Sequence, residues 1–166
     1  PYTDPRADDY SAFLGARAEI VPDLAAWIQH PVTKILAVAP APLPTELMPV
    51  ARTEFDRRAE VTVSHPEFLE FLAPGVSKGR AVAWLARRLG IPLEQTMAIG
   101  DQFNDLEMIA GVGHGVAMPG APAGVRAVAR YIAPPLVEEG AAQVIEALVL
   151  PGLAGVRNVE RFRPAE

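Results

Sequence analysis

From Ser77 to Leu148 the chain alternates helical stretches with short apolar runs, and this alternation limits its fold more than any other feature. "SKGRAVAWLARRLG" reads as a helix with Ser77 as N-cap, an apolar stripe through Val82, Leu85 and Leu89, and Gly90 as its C-terminal stop. "TMAIG" follows as a short strand, apolar on both sides, of the kind buried inside a parallel sheet. "NDLEMIAG" predicts a helix, "HGVAM" a strand, "PAGVRAVA" a helix, "RYIAP" a short strand and "EEGAAQVIEALVL" a closing helix. Parallel strands need crossover connections, and helices between short strands supply them. The expected class is α/β, a parallel sheet with helices on both faces.

The preceding residues have another rhythm. "VTKILAVAP" predicts a strand, "PAPLP" a proline-stiffened turn, "LMPVARTEFDRR" a helix, "AEVTVSH" an alternating strand and "EFLEFL" a last strand or extended run. This reads as a small α+β unit joined to the parallel half through "LAPGVSKG", with the boundary near Pro74 and Gly75. The expected organisation is residues 1–74, 75–150 and a tail of 151–166. The first twenty residues and the tail carry little pattern, and no internal repeat is visible.

At 166 residues, half of them apolar, the chain has material for a sizeable core. A net charge of −5 without a run of five like charges argues against a nucleic-acid surface and a polybasic membrane patch. No stretch reaches the roughly 20 apolar residues of a membrane span, and the start lacks a signal-peptide layout, so a cytoplasmic location is expected. The chain has no cysteine, which leaves oxygen or imidazole ligands for any metal. It begins with Pro1, which suggests a natural start elsewhere.

The chemistry concentrates where "TMAIG" meets "DQFNDLEM". In open parallel sheets functional groups stand at the carboxyl ends of strands, and Asp101 falls there, with Asn104 and Asp105 opening the next helix. Two carboxylates four positions apart and a carboxamide suit a hard cation such as Mg²⁺, which takes one or two protein carboxylates and fills its shell with water and phosphate oxygens. Helix N-capping alone accounts for the same residue types, and spacing does not separate the two readings. Of fifteen basic residues only Lys34 and Lys78 are lysines. Lys78 lies in a first helical turn, where the helix dipole disfavours a cation, so an anion holding it there is one reading and a snorkelling surface lysine the other.

Taken together, "GVSKG", "AIGDQFNDLEM", "GVAM" and "EEG" resemble the haloacid dehalogenase superfamily of phosphatases, in particular the Cof-type branch with an α/β cap. The resemblance is strong from Gly75 to Leu148 and looser over a presumed cap from Pro22 to Ala73. It implies a partial Rossmann-like core, residues 75–150, with a small α+β cap remnant in residues 1–74. It also implies Mg²⁺-dependent hydrolysis of phosphate monoesters of small metabolites. By the same resemblance Lys78 pairs with the nucleophile and the phosphoryl group, Asp101 ligates Mg²⁺, Asp105 supports the metal or its waters, and Asn104 donates to phosphate. These roles fit a reaction that needs charge neutralisation and positioning above all.

The family's nucleophile, the first aspartate of a D-x-D box after an amino-terminal strand, has no counterpart here. Nor does its second-motif Ser or Thr. Asp4, Asp8 and Asp9 in "DPRADDY" lack both the spacing and the strand. The family sheet sets the nucleophile strand beside "TMAIG", which would otherwise be an unprotected edge. The expectations are a fragment inactive alone, partnered by its own missing segment or by a second copy. A non-catalytic assembly module and a related phosphomutase or sugar-phosphate phosphatase are the competing readings. Gly120 stands where the family often has asparagine, and Glu139–Ala142 replaces the family's acidic-Gly-Val-Ala.

Other residues carry weaker signals. His30, His65 and His114 share no metal-ligand spacing, and His114 reads as a turn residue that could also line the crevice. Trp27 and Trp84 fit apolar helix faces as core or interface anchors. Glu67, Phe68 and Glu70 suit either a cap face or an ordinary strand. The three serines show no nucleophile elbow.

Overall fold

The structure, a computed structural model, describes residues 19–150 together with Ala12, Gly15 and Phe162. Two three-stranded sheets organise it. The first comprises β1 (Lys34–Val38), β2 (Glu60–His65) and β3 (Phe68–Leu72), antiparallel in the order β1-β3-β2. A single capped turn, α1 (Leu24–Trp27), precedes it, with Asp23 accepting from the Ala26 amide. Helix α2 (Leu43–Glu54) covers one face of the sheet, where Met48 packs with Val61, Val63 and Leu69.

Period-two alternation fixes what the other face presents. With Val61 and Val63 turned to α2, Thr62 lies on the opposite side, directly across the ladder from Glu70. Both are buried, at 7% and 6% exposure. Glu70 Oε1 accepts from Lys34 Nζ at 2.7 Å and from Ser64 Oγ at 2.6 Å. Removing one partner of a buried pair strands the other charge. Because Lys34 is 40% exposed, solvent tempers the effect, and Lys34→Met is expected to cost about 1–2 kcal/mol in urea unfolding. An unchanged midpoint would show that Glu70 needs no cation.

The second sheet is the expected parallel one: β4 (Met97–Gly100), β5 (His114–Ala117) and β6 (Tyr131–Ile132) in sequence order. Helix α3 (Lys78–Leu89) leads into it, and α4 (Leu106–Gly111), α5 (Ala123–Val128) and α6 (Gly140–Leu148) follow β4, β5 and β6 in turn. The predicted caps of α3 are present: Ser77 Oγ accepts from the Arg80 amide, and Gly90 closes the helix at φ 68°. Neighbouring residues on β5 face opposite cores. Val116 packs with Tyr131, Val144 and Ala147, and Ala117 with Ile109, Val125 and Ala129. Helices therefore cover both faces.

The predicted α3 stripe is only partly covered: Leu85 is 50% and Leu89 60% exposed, while the helix tucks in Ala86 and half-buries Val82 and Ala83. Helix α3 packs on α4, which leaves Trp84, Leu85 and Leu89 half or more exposed, with the Arg88 guanidinium over the Trp84 ring. Trp84 and Trp27, at 54% and 51% exposure, are accordingly not core residues. The patternless tail contributes Phe162, 2% exposed, to the cluster around Val116. The remainder of the tail, and Asp4, Asp8 and Asp9, lie outside the described residues.

Candidate functional site

The turn after β4 is built around one side chain. Asp105, 3% exposed, ends the 3-10 turn Phe103–Asp105 and folds back over the strand end. Its Oδ2 accepts from the amides of Asp101 and Gln102 at 2.9 and 3.1 Å, and its Oδ1 accepts from Lys78 Nζ at 2.5 Å. One carboxylate thus fixes the loop carrying Asp101 and tethers the lysine at the start of α3. Charge-assisted bonds of this kind are about twice as strong as neutral ones. Gly100 permits the fold-back, because a Cβ there would lie 2.4 Å from Asp105 Cβ.

Lys78, Asn104 and Asp105 are thereby brought together, with Asp101 on the same turn. Asp101 is exposed at the carboxyl end of β4. Asp105 Oδ2 is saturated by two amides, whereas Oδ1 accepts a single ammonium and keeps a second lone pair facing Lys78. Asp101 is the exposed carboxylate of the turn and Asp105 the buried one. Among the described residues no group of three or more His, Asp or Glu side chains gathers into a complete metal shell. An exposed hard carboxylate at a strand end fits Mg²⁺, which relies on water and substrate oxygens for much of its shell.

Next to this turn lies a cavity of about 410 Å³ between the polar face of the first sheet and the helix starts of the second. Arg52, Glu60, Thr62 and Glu70 line one side, and Lys78, Phe103, Asn104 and Glu107 the other. Arg52 spends Nε on the Val61 carbonyl at 2.8 Å. Ser77 donates to Glu107, linking the cap of α3 to α4. Asn104 Oδ1 and Thr62 Oγ1 are buried and make no hydrogen bond within the described structure. Phe103 packs against the cores of both sheets, so the turn bearing Asn104 is anchored on each side.

His114 is not in the crevice. It starts β5 opposite Met97, at the far end of the sheet from Asp101, with its ring stacked on Tyr131 at 6.1 Å. Thr62, Arg52 and Glu60 were not singled out by sequence. The alternation in "EVTV" contained the signal, because a strand with Val61 and Val63 inward must turn Glu60 and Thr62 the other way. Of the three residues that suited either a cap face or a plain strand, Glu70 reaches the cavity.

Strand β4 pairs with β5 on one edge, and no described residue pairs with its other edge. No described helix is long and apolar enough to cross a membrane.

Residues 16–145 match the haloacid dehalogenase-like hydrolase family. The chain is similar to the 5-amino-6-(5-phospho-D-ribitylamino)uracil phosphatase YcsE of Bacillus subtilis, 39% identical over 57% of this chain and 38% of that protein. It is likewise similar to an HMP-PP phosphatase of Cronobacter sakazakii, 36% identical over 69% of this chain and 42% of that protein. The chain thus spans less than half the length of these relatives. A crystal structure of a haloacid dehalogenase-like hydrolase from Bacteroides thetaiotaomicron superposes with a TM-score of 0.67 at 31% identity, covering 86% of this chain and 54% of that one.

Proposed function

Because this chain belongs to the haloacid dehalogenase-like hydrolases, we propose that it forms the cap and the carboxyl-terminal half of the core of a Mg²⁺-dependent phosphatase acting on small phosphorylated metabolites. The observation that carries this reading is the Asp105 arrangement, which holds Lys78 and the Asp101 loop at one strand end beside a cavity. Residues 1–74 act as a partial cap, residues 75–150 as half of the core and 151–166 as a tail.

Lys78 neutralises phosphate charge and the incoming carboxylate, a task for a compact ammonium. Asn104 hydrogen-bonds a phosphate oxygen. Asp101 holds Mg²⁺, and Asp105 positions both Asp101 and Lys78 without touching substrate. When bound, the metal supplies charge neutralisation and orientation of the phosphoryl group. The nucleophilic aspartate comes from a segment that pairs with the open edge of β4 and covers Trp84, Leu85 and Leu89, since an apolar edge strand and an uncovered apolar helix face both call for a partner.

Joined to its natural upstream segment, the chain is expected to hydrolyse members of a panel of small phosphate monoesters in the presence of Mg²⁺. Complete absence of turnover by that protein would sink the proposal. The 166-residue chain alone is expected to show none, and to self-associate through the β4 edge in sedimentation velocity. Robust hydrolysis by the isolated chain would refute the first expectation, and a clean monomer the second.

A further inference from the structure

The polar face of the first sheet contains a buried hydroxyl that its own fold leaves unsatisfied. Thr62 is 7% exposed, and its Oγ1 makes no hydrogen bond. Burying a hydroxyl without a partner costs stability, and valine would fill the same shape without that cost. Its cross-strand partner Glu70 is equally buried and takes both of its contacts, from Lys34 and Ser64, on Oε1. Both residues line the cavity whose other wall carries Lys78 and the unsatisfied Asn104 Oδ1.

Resting on the phosphate-site reading above, we propose that Thr62 and Glu70 determine specificity, selecting phosphate monoesters whose leaving group presents hydroxyl donors to this wall. The cavity has two chemically different ends. Lys78 and Asn104 suit an anion. The opposite wall sets the unpaired Thr62 hydroxyl beside the Glu60 and Glu70 carboxylates, and Glu70 takes both of its contacts on Oε1, so this wall offers acceptors to a group that donates hydrogen bonds. A purely apolar leaving group would leave the Thr62 hydroxyl unpaired, the situation in which binding discrimination is largest. Arg52 on that wall is anchored by its Nε to the Val61 carbonyl and keeps its charge, which together with Lys34 balances the two carboxylates.

The test uses amide-resolved NMR titration of the full 166-residue chain, with MgCl₂ present, against inorganic phosphate, phenyl phosphate and sorbitol 6-phosphate. Inorganic phosphate is expected to move the Lys78 and Asn104 signals. Sorbitol 6-phosphate is expected to move Thr62 and Glu70 as well, and to bind about tenfold more tightly than phenyl phosphate, the equivalent of one good hydrogen bond. Thr62→Val should bring that ratio close to one while raising Tm by about 2–4 °C, and Thr62→Ser should restore it. A ratio unchanged within about twofold in both Thr62→Val and Glu70→Gln, with phosphate still bound at Lys78, overturns the specificity assignment alone. No response of Lys78 and Asn104 to inorganic phosphate overturns the phosphate site and this inference with it.

Discussion

Replacing Lys78 with methionine is expected to lower kcat/KM for any phosphate monoester by about 10²–10³-fold in the chain joined to its nucleophile-bearing segment, the usual loss when one preorganised donor is removed from developing charge. The position of the lysine makes the effect specific. Its ammonium sits 2.5 Å from Asp105 Oδ1, with the Asp105 side chain 4% exposed and its own side chain 49% exposed. One end of the pair is fixed in the core and the other remains open to a ligand. Methionine keeps the length of the side chain and the helix but removes the charge, so unfolding should shift by only about 1–3 kcal/mol, from the carboxylate left without its cation. Arginine is a poor substitute, because its planar fork cannot occupy the place of a point charge beside a carboxylate already bound to two amides. Steady-state kinetics with two unrelated monoesters checks this, and equal losses are expected for both. A loss confined to one substrate would make Lys78 a specificity contact.

Gly100→Ala is expected to destabilise the chain by about 3 kcal/mol, at the upper end of what overpacking costs. The added Cβ would meet Asp105 Cβ at 2.4 Å and Oδ2 at 2.6 Å. Asp105 cannot swing aside freely, since three hydrogen bonds hold it. Either β4 shifts against β5 or the Asp105 bonds break, and both release the Asp101 loop. Urea unfolding should show the loss, and phosphate titration should show Lys78 no longer responding. Gly120→Ala is the matched control, because a Cβ there meets nothing within 4 Å. Equal behaviour of the two variants would rule out close approach at Gly100 as the organising feature.

The parallel half was readable because its helices and strands have different periods and its caps are ordinary ones, as at Ser77 and Gly90. The small antiparallel sheet was read only in part, because "EFLEFL" does not alternate cleanly and becomes β3 by pairing on both sides. Lys78, Asp101, Asn104 and Asp105 were legible as chemical types at a strand end. The way Asp105 divides its oxygens between the lysine and two amides was not, since sequence carries no record of which lone pairs are taken. Trp84, Leu85 and Leu89 show a different limit of sequence. Amphipathicity identifies a face that seeks cover without saying whether the described chain provides it.

Phe103 gives the two layers a common latch. Its ring belongs at once to the core beneath α2 and to the core beneath α5, and it also lines the cavity. Separating the layers to admit a large ligand would draw this half-buried ring out of one core or the other, at a cost below the roughly 3 kcal/mol of exposing a fully buried phenyl group. Small ligands that slip in from the side escape this penalty, so access to the cavity is itself a filter on size.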